Sequence, residues 1–138
     1  MKDSLKKDDY CFCCGAGNPH GLQLTIVPDG PKGVRTEFWA ERKYCGWSRY
    51  LHGGLVSLIF DELLGWLSFN LGYDAVTARL EVRYRQPVPV GSRVILRGEL
   101  EREARGLLDI RTEAQLPDGT LVADGKGRMM IIQKRPAG

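Results

Sequence analysis

Several features that would narrow the function quickly are missing from this 138-residue sequence. It has no stretch of about 20 mostly apolar residues, so a comfortable transmembrane helix is excluded. No apolar signal core follows the charged opening MKDSLKKDDY, and the expected location is the cytoplasm. No run of basic residues is long enough to argue for nucleic acid, and the net charge of +3 comes from interspersed signs. A phosphorylated small ligand remains compatible with that charge. Internal repeats and low-complexity segments are also absent. Cysteine is scarce and unevenly placed, with Cys11, Cys13 and Cys14 together and Cys45 alone. In a reducing compartment these are expected to stay thiols rather than pair.

What remains is a chain of ordinary single-domain length, 43% apolar and 27% charged, which is enough to bury one core and gives no reason to expect disorder away from the ends. Residues 1–10 read as a solvated, flexible tail and 11–138 as one domain. The segment CFCCGAGNPHG, residues 11–21, is tight and irregular because of its Gly and Asn-Pro punctuation. Cys11-x-x-Cys14 invites a zinc reading with Cys45 or His20 as further ligands. No second ligand pair follows at a regular spacing, so the expectation is a buried thiol cluster and no metal. Asn18-Pro19-His20 lacks both the Asp two residues earlier and the spaced His of the enoyl hydratase signature, which argues against that chemistry.

The longest apolar run is LVSLIFDELLGWLSFNL, residues 55–71, preceded by Tyr50-Leu51-His52-Gly53-Gly54. It contains no Pro and reads as a helix buried nearly all round. At 3.6 residues per turn, Gly54, Ser57, Asp61, Gly65 and Ser68 share one stripe, small or polar, with Asp61 its only charge. Small residues there permit close approach. A carboxylate among apolar neighbours is either paired or put to use, and the stripe alone leaves both open. Ser57 and Ser68 read as spacers, and Glu62 as the solvent-side neighbour of Asp61.

Around this run lie alternating segments. Residues 22–27 and 34–39 flank a Pro/Gly turn and predict a hairpin. Residues 42–51 show no period and read as a loop leading into the helix. Gly72 is a plausible helix stop. Residues 76–85 alternate, with Val76, Ala78, Leu80, Val82 and Tyr84 on one face and Thr77, Arg79, Glu81, Arg83 and Arg85 on the other. Residues 93–104, 107–116 and 121–133 follow, and short connections predict a meander of four consecutive antiparallel strands. The fold class is therefore α+β, an antiparallel sheet wrapped around one long central helix. A long strand edge suggests a dimer that continues the sheet. Trp47, Trp66 and Phe69 read as core filling ahead of an aromatic pocket.

This arrangement resembles the hotdog-fold thioesterases, in particular the branch of phenylacetyl-CoA thioesterase-like acyl-CoA hydrolases. The resemblance spans residues 11–133. It rests on Cys11-x-x-Cys14-Gly15 with Asn18-Pro19 and Gly21-Leu22, on His52-Gly53-Gly54 with Asp61 nine residues past the His, and on Val76-Thr77-Ala78 and Tyr84-x-x-Pro87-Val88-x-x-Gly91.

The resemblance implies a hydrolase that cleaves an acyl-CoA to a carboxylic acid and free coenzyme A, working as a homodimer or a dimer of dimers with active sites at the subunit interface. It implies Asp61 as nucleophile or as base for water, and backbone N–H groups of Gly53 and Gly54 as donors to the thioester oxygen. Thr77, supplied by the neighbouring subunit, would hold the attacking water, and His52 would take the variable role of the motif histidine. His52 as a simple cap and Thr77 as a plain strand residue stay open as alternatives. Coenzyme A enters as part of the substrate, with no separate cofactor. Arg83, Arg85, Lys126 and Arg128, with Arg79, are the candidates for its phosphates. A non-catalytic hotdog module that binds acyl-CoA as a sensor or carrier is the competing reading, and the acid at position 61 argues against it.

Overall fold

The long apolar run does become a helix. In the computed structural model, which describes residues 5–135, α1 spans Gly53–Asn70 and ends at Gly72, whose φ of 92° only glycine adopts without strain. Its neighbours are β1 (Val27–Pro28), β2 (Gly33–Trp39), β3 (Tyr73–Tyr84), β4 (Arg93–Ala104), β5 (Leu107–Gln115) and β6 (Leu121–Lys134), plus a short 3₁₀ turn at Arg42–Tyr44. The strands form one antiparallel sheet in the order β1-β2-β4-β5-β6-β3. This is the hotdog arrangement, with the sheet curled around the helix.

Ile59, Phe60, Leu63, Leu64 and Leu67 are essentially inaccessible and pack against the sheet. Burying side chains of this size contributes about 1.5–3 kcal/mol each. The helix is not buried all round, however. Gly54 and Asp61 are exposed and Ser57 and Gly65 half-buried, so within one chain much of the small-residue stripe faces outward. Only Ser68 of that stripe is fully buried, its hydroxyl donating to the Leu64 carbonyl at 2.8 Å.

Close approach occurs on the opposite face, where β6 presents Gly125 and Gly127. A Cβ on Gly127 would lie 2.3 Å from Leu64 Cδ1, and one on Gly125 would lie 3.3 Å from Phe60 Cδ2. Leu64 is fully buried, so it can yield only by displacing its packed neighbours. Gly127→Ala is therefore expected to lower the unfolding free energy by about 1–3 kcal/mol through overpacking. Urea unfolding checks this, and an unchanged midpoint would show that the helix shifts freely on the sheet.

Two expectations about the strands change. The segment 22–26 stays irregular and leaves β1 only two residues long, although the hairpin turn to β2 forms as expected. The meander holds for β4, β5 and β6, the first two joined through Arg105 and Gly106 with φ of 55° and 77°, as a tight hairpin turn requires. β3 does not join it next to β4 but pairs with β6 at the far edge. The connection between β3 and β4 crosses the sheet end alongside the segment preceding the helix. There Leu51 N–H donates to Val88 O at 2.8 Å and Val90 N–H to Arg49 O at 2.8 Å. Apolar alternation records which face a residue takes, not which strand lies beside it, so this crossing was invisible in the pattern.

Of the expected solvated tail, residues 1–4 lie outside the described residues. The rest meets the body of the fold. Leu5 N–H donates to Asp74 Oδ2 at 3.1 Å, and Lys7 Nζ lies 4.0 Å from the centre of the Trp66 ring. Trp66 and Phe69 are half-buried beneath Lys7 and Arg135, whereas Trp47 is 86% exposed and fills no core. No helix among the described residues is long and apolar enough to cross a membrane.

Candidate active site

His52 is the N-cap of α1, with extended backbone angles, and its Nδ1 accepts the Gly54 N–H at 3.0 Å. An acceptor at this position satisfies one of the helix's orphan donors. It also removes Gly54 from the pair of donors expected for a carbonyl oxygen. Gly53 N–H has no acceptor among the described residues, and it sits at the positive end of the helix dipole. The first-turn donor left available is therefore Gly53.

Tyr84 holds this turn from the sheet side. Its hydroxyl donates to Gly53 O at 2.9 Å and lies 2.5 Å from Ser57 Oγ. Since the phenol has one hydrogen, Ser57 is the donor in the second contact. A Cβ on Gly53 would come within 3.1 Å of the Tyr84 ring, a tight contact that a small shift of the ring relieves. Beside this turn, Leu51, Val56, Val88 and the exposed Trp47 line an open apolar groove of about 380 Å³. Sequence reasoning passed over Tyr84 and Ser57 as site-builders. The available signal was that Tyr84 shares the alternating face of Leu80 and Val82, which looks toward the helix.

Two turns along the helix, Asp61 is exposed and its Oδ1 accepts the Thr77 hydroxyl at 2.7 Å. Met129 Sδ also lies 3.4 Å from that hydroxyl, but one proton goes to the shorter, charge-assisted contact. Thr77 comes from the same chain as Asp61, contrary to the expectation of a neighbouring subunit. It also lies on the helix side of β3, contrary to the alternation that grouped it with Arg79 and Arg83.

The reason is a bulge. Thr77 pairs with Met129 but Arg79 with Arg128, leaving Ala78 without a partner. This extra residue reverses the parity of the strand, so that Thr77 above it and Leu80, Val82 and Tyr84 below it all face α1.

The basic candidates divide. Arg85 is held by Asp124 at 2.7 Å, Arg128 by Asp109 at 2.8 Å and Arg79 by Glu81 at 2.8 Å. The Arg128 guanidinium holds the Asp109 carboxyl below its ordinary value. Among the described residues Arg83 and Lys126 make no ion pair. Lys126 and Arg128 line a groove of about 310 Å³ on the sheet surface, together with Arg79, Glu81 and Asp109.

At the N-terminal loop, Cys45 and His20 do not join Cys11 and Cys14. Glu62 does, with Cys11 Sγ 3.6 Å from Glu62 Oε2. Burial, then the nearby Glu62 carboxylate, pushes the Cys13 thiol up to about 12. Cys14 rises to about 12 for the same leading reason. Both are protonated at neutral pH and unsuited to act as nucleophiles.

The largest grooves lie elsewhere, beside β2 and beside the loop containing Arg42 and Arg49, and neither is lined by Asp61 or Thr77. The Asp61–Thr77 pair occupies open surface.

A model of the thioesterase superfamily matches residues 49–123, which takes in the capped helix start, Asp61, Thr77 and strands β3 to β5. The mouse protein named acyl-coenzyme A thioesterase THEM4 is 30% identical over 76 residues, 54% of this chain and 33% of its own length. The chain thus spans about a third of that relative. Among solved structures, a Streptococcus mutans protein bound to acetyl-CoA superposes with a TM-score of 0.77 at 20% identity, covering 82% of this chain and 91% of the other. PaaI, from the phenylacetic acid degradation operon of E. coli, gives 0.76 at 15% identity, over 83% of each chain. At these identities the structural matches speak for the fold. With a family model covering more than half of its residues, including the capped helix start and the Asp61–Thr77 pair, the chain belongs to the thioesterase superfamily.

Proposed function

We propose that this protein is an acyl-CoA thioesterase that uses Asp61 to activate water against the thioester carbonyl, releasing a carboxylic acid and free coenzyme A. The observation that carries the reading is the short Thr77–Asp61 hydrogen bond on an open face of the central helix. Thr77 fixes Oδ1, which leaves Oδ2 of the exposed Asp61 without a hydrogen-bond partner among the described residues and open to a water molecule. A general base must reach the proton it takes by one hydrogen bond, and this geometry permits it. The proton moves from water to Asp61 and then to the departing thiolate.

The developing oxyanion needs a donor, and Gly53 N–H is the free one. It cannot serve the Asp61 of its own chain. Eight residues of helix separate them, about 12 Å along the axis. One thioester group cannot bridge that gap, because attacking water and oxyanion donor each lie about 3 Å from the reacting atoms. An acyl chain laid along a single helix therefore fails.

A second copy whose helix start lies against Asp61 satisfies both requirements. Three features support it: the exposed stripe, a mid-helix Gly65 with nothing within 4 Å of where its Cβ would be, and the 12-residue β3 at the sheet edge. Arg83 and Lys126, whose charges are unmet, are the best placed of the basic candidates to receive coenzyme A phosphates.

The test is thiol release from a panel of short, long and aromatic acyl-CoAs. Turnover of at least one class, lost on substitution of Asp61, supports the assignment, while tight acyl-CoA binding in calorimetry without any turnover would make the protein a binding module. Thr77→Val is expected to lower kcat about tenfold, the worth of one charge-assisted hydrogen bond, with KM little changed and activity restored in Thr77→Ser. Wild-type kcat in Thr77→Val would reduce Thr77 to a strand residue.

A further inference from the structure

The loop bearing Cys11 and Cys14 lies against α1 at Glu62, and one ligand atom from each of the three residues falls within 4.8 Å of the others. Cys11 Sγ and Glu62 Oε2 are 3.6 Å apart. Tetrahedral zinc with a sulfur at about 2.3 Å and a carboxylate oxygen at about 2.0 Å would place those two atoms about 3.5 Å apart, so the gap already has the size of a shared ion.

The loop is shaped to hold the sulfurs there. Gly15 N–H donates to Cys11 O at 2.9 Å and closes a turn in which Cys14 N–H points to Cys11 Sγ at 3.5 Å, a backbone donor aimed at a ligating sulfur. Gly15 must follow Cys14, since a Cβ there would lie 2.3 Å from Asp9 O and 2.4 Å from Cys11 N. Trp66 Nε1–H is buried against the Cys14 thiol and would be a natural donor to a metal-bound thiolate there.

We infer that Cys11, Cys14 and Glu62 form a site for a thiolate-preferring divalent cation, zinc being the fitting ion, with water in the fourth position. Two thiolates select a borderline-soft ion over magnesium or calcium. The ion would tie the N-terminal loop to the central helix one residue from Asp61, on a different face, and would be structural. This site is independent of the thioester chemistry. Cys45 and His20, the further ligands that the sequence offered beside Cys11-x-x-Cys14, take no part in it.

The experiment uses the full chain, reduced and stripped of metal. Titration with cobalt(II) is expected to give a near-ultraviolet thiolate charge-transfer band and the visible bands of a tetrahedral ion, saturating at one cobalt per chain. Zinc should displace cobalt, bind with sub-micromolar affinity in an indicator competition and raise the melting temperature. Cys11→Ser and Cys14→Ser should each lose the charge-transfer band, and Glu62→Gln, a nearly isosteric change, should weaken zinc at least about tenfold. Cys45→Ser should bind as wild type. Absence of the band in wild-type protein, or its survival in both the Cys11→Ser and Cys14→Ser variants, would overturn the assignment, as would zinc affinity unchanged in Glu62→Gln.

Discussion

Replacing Asp61 by Asn is expected to reduce acyl-CoA hydrolysis by roughly 10²–10⁴-fold, which is the usual contribution of a positioned general base. Asn is the informative choice. It has the shape of Asp and can still accept the Thr77 hydroxyl through its amide oxygen, so the 2.7 Å contact and the helix surface survive. What it loses is the charge and the ability to take a proton. Because Asp61 is exposed, its melting temperature should match that of the wild type. Steady-state kinetics with the preferred acyl-CoA reads the result directly, with kcat falling and KM little affected. Thiol release from Asp61→Asn at the wild-type rate would remove the residue from the chemistry. A single turnover in heavy-oxygen water distinguishes the two ways a carboxylate can act. Label in the released acid on the first turnover means base catalysis, and label retained in Asp61 means direct attack.

Gly53→Pro carries the second large effect, an expected loss of roughly 10²–10³ in kcat, as for removal of one oxyanion donor. Proline deletes the free N–H and nothing else essential. Position 53 is the first residue of the helix, where proline is well tolerated. The preceding His52 already has the extended angles, φ −64° and ψ 124°, that a following proline demands. The ring's Cβ would meet the Tyr84 ring at 3.1 Å, a contact that a few tenths of an ångström relieve.

This variant also tests the composite site. Mixed by co-refolding with Asp61→Asn chains, it should recover roughly a quarter of wild-type activity per chain, since half of randomly paired twofold dimers are mixed and each mixed dimer has one complete site. No recovery would place both groups in one chain's site, and an unchanged kcat in Gly53→Pro alone would remove this N–H from the mechanism.

Much of this protein was legible without coordinates. The helix showed itself through a long apolar run bounded by His52 and Gly72, the three strands of the β4–β6 meander through their alternation, and Asp61 as the one charge on a stripe of small residues. Each of these is a local property, set by the period of the backbone and by residues a few positions apart. The motif spacing from His52 to Asp61 belongs to the same class, because both residues sit on one element.

Other features were decided only by packing across the sheet. One unpaired residue, Ala78, turns Thr77 from the outer face toward Asp61, and no alternation count reveals a bulge before the partner strand is known. The far-edge position of β3, the capture of the Gly54 N–H by His52, and the meeting of Cys11, Cys14 and Glu62 likewise join residues through contacts that sequence order does not encode. By itself, then, the sequence determined the central helix, most of the long strands and the singling out of Asp61 on its small-residue stripe. Tertiary structure decided which groups can act together, because a site depends on distances of about 3 Å between side chains and backbone donors, and those are set by strand order, register and the axial rise of the helix.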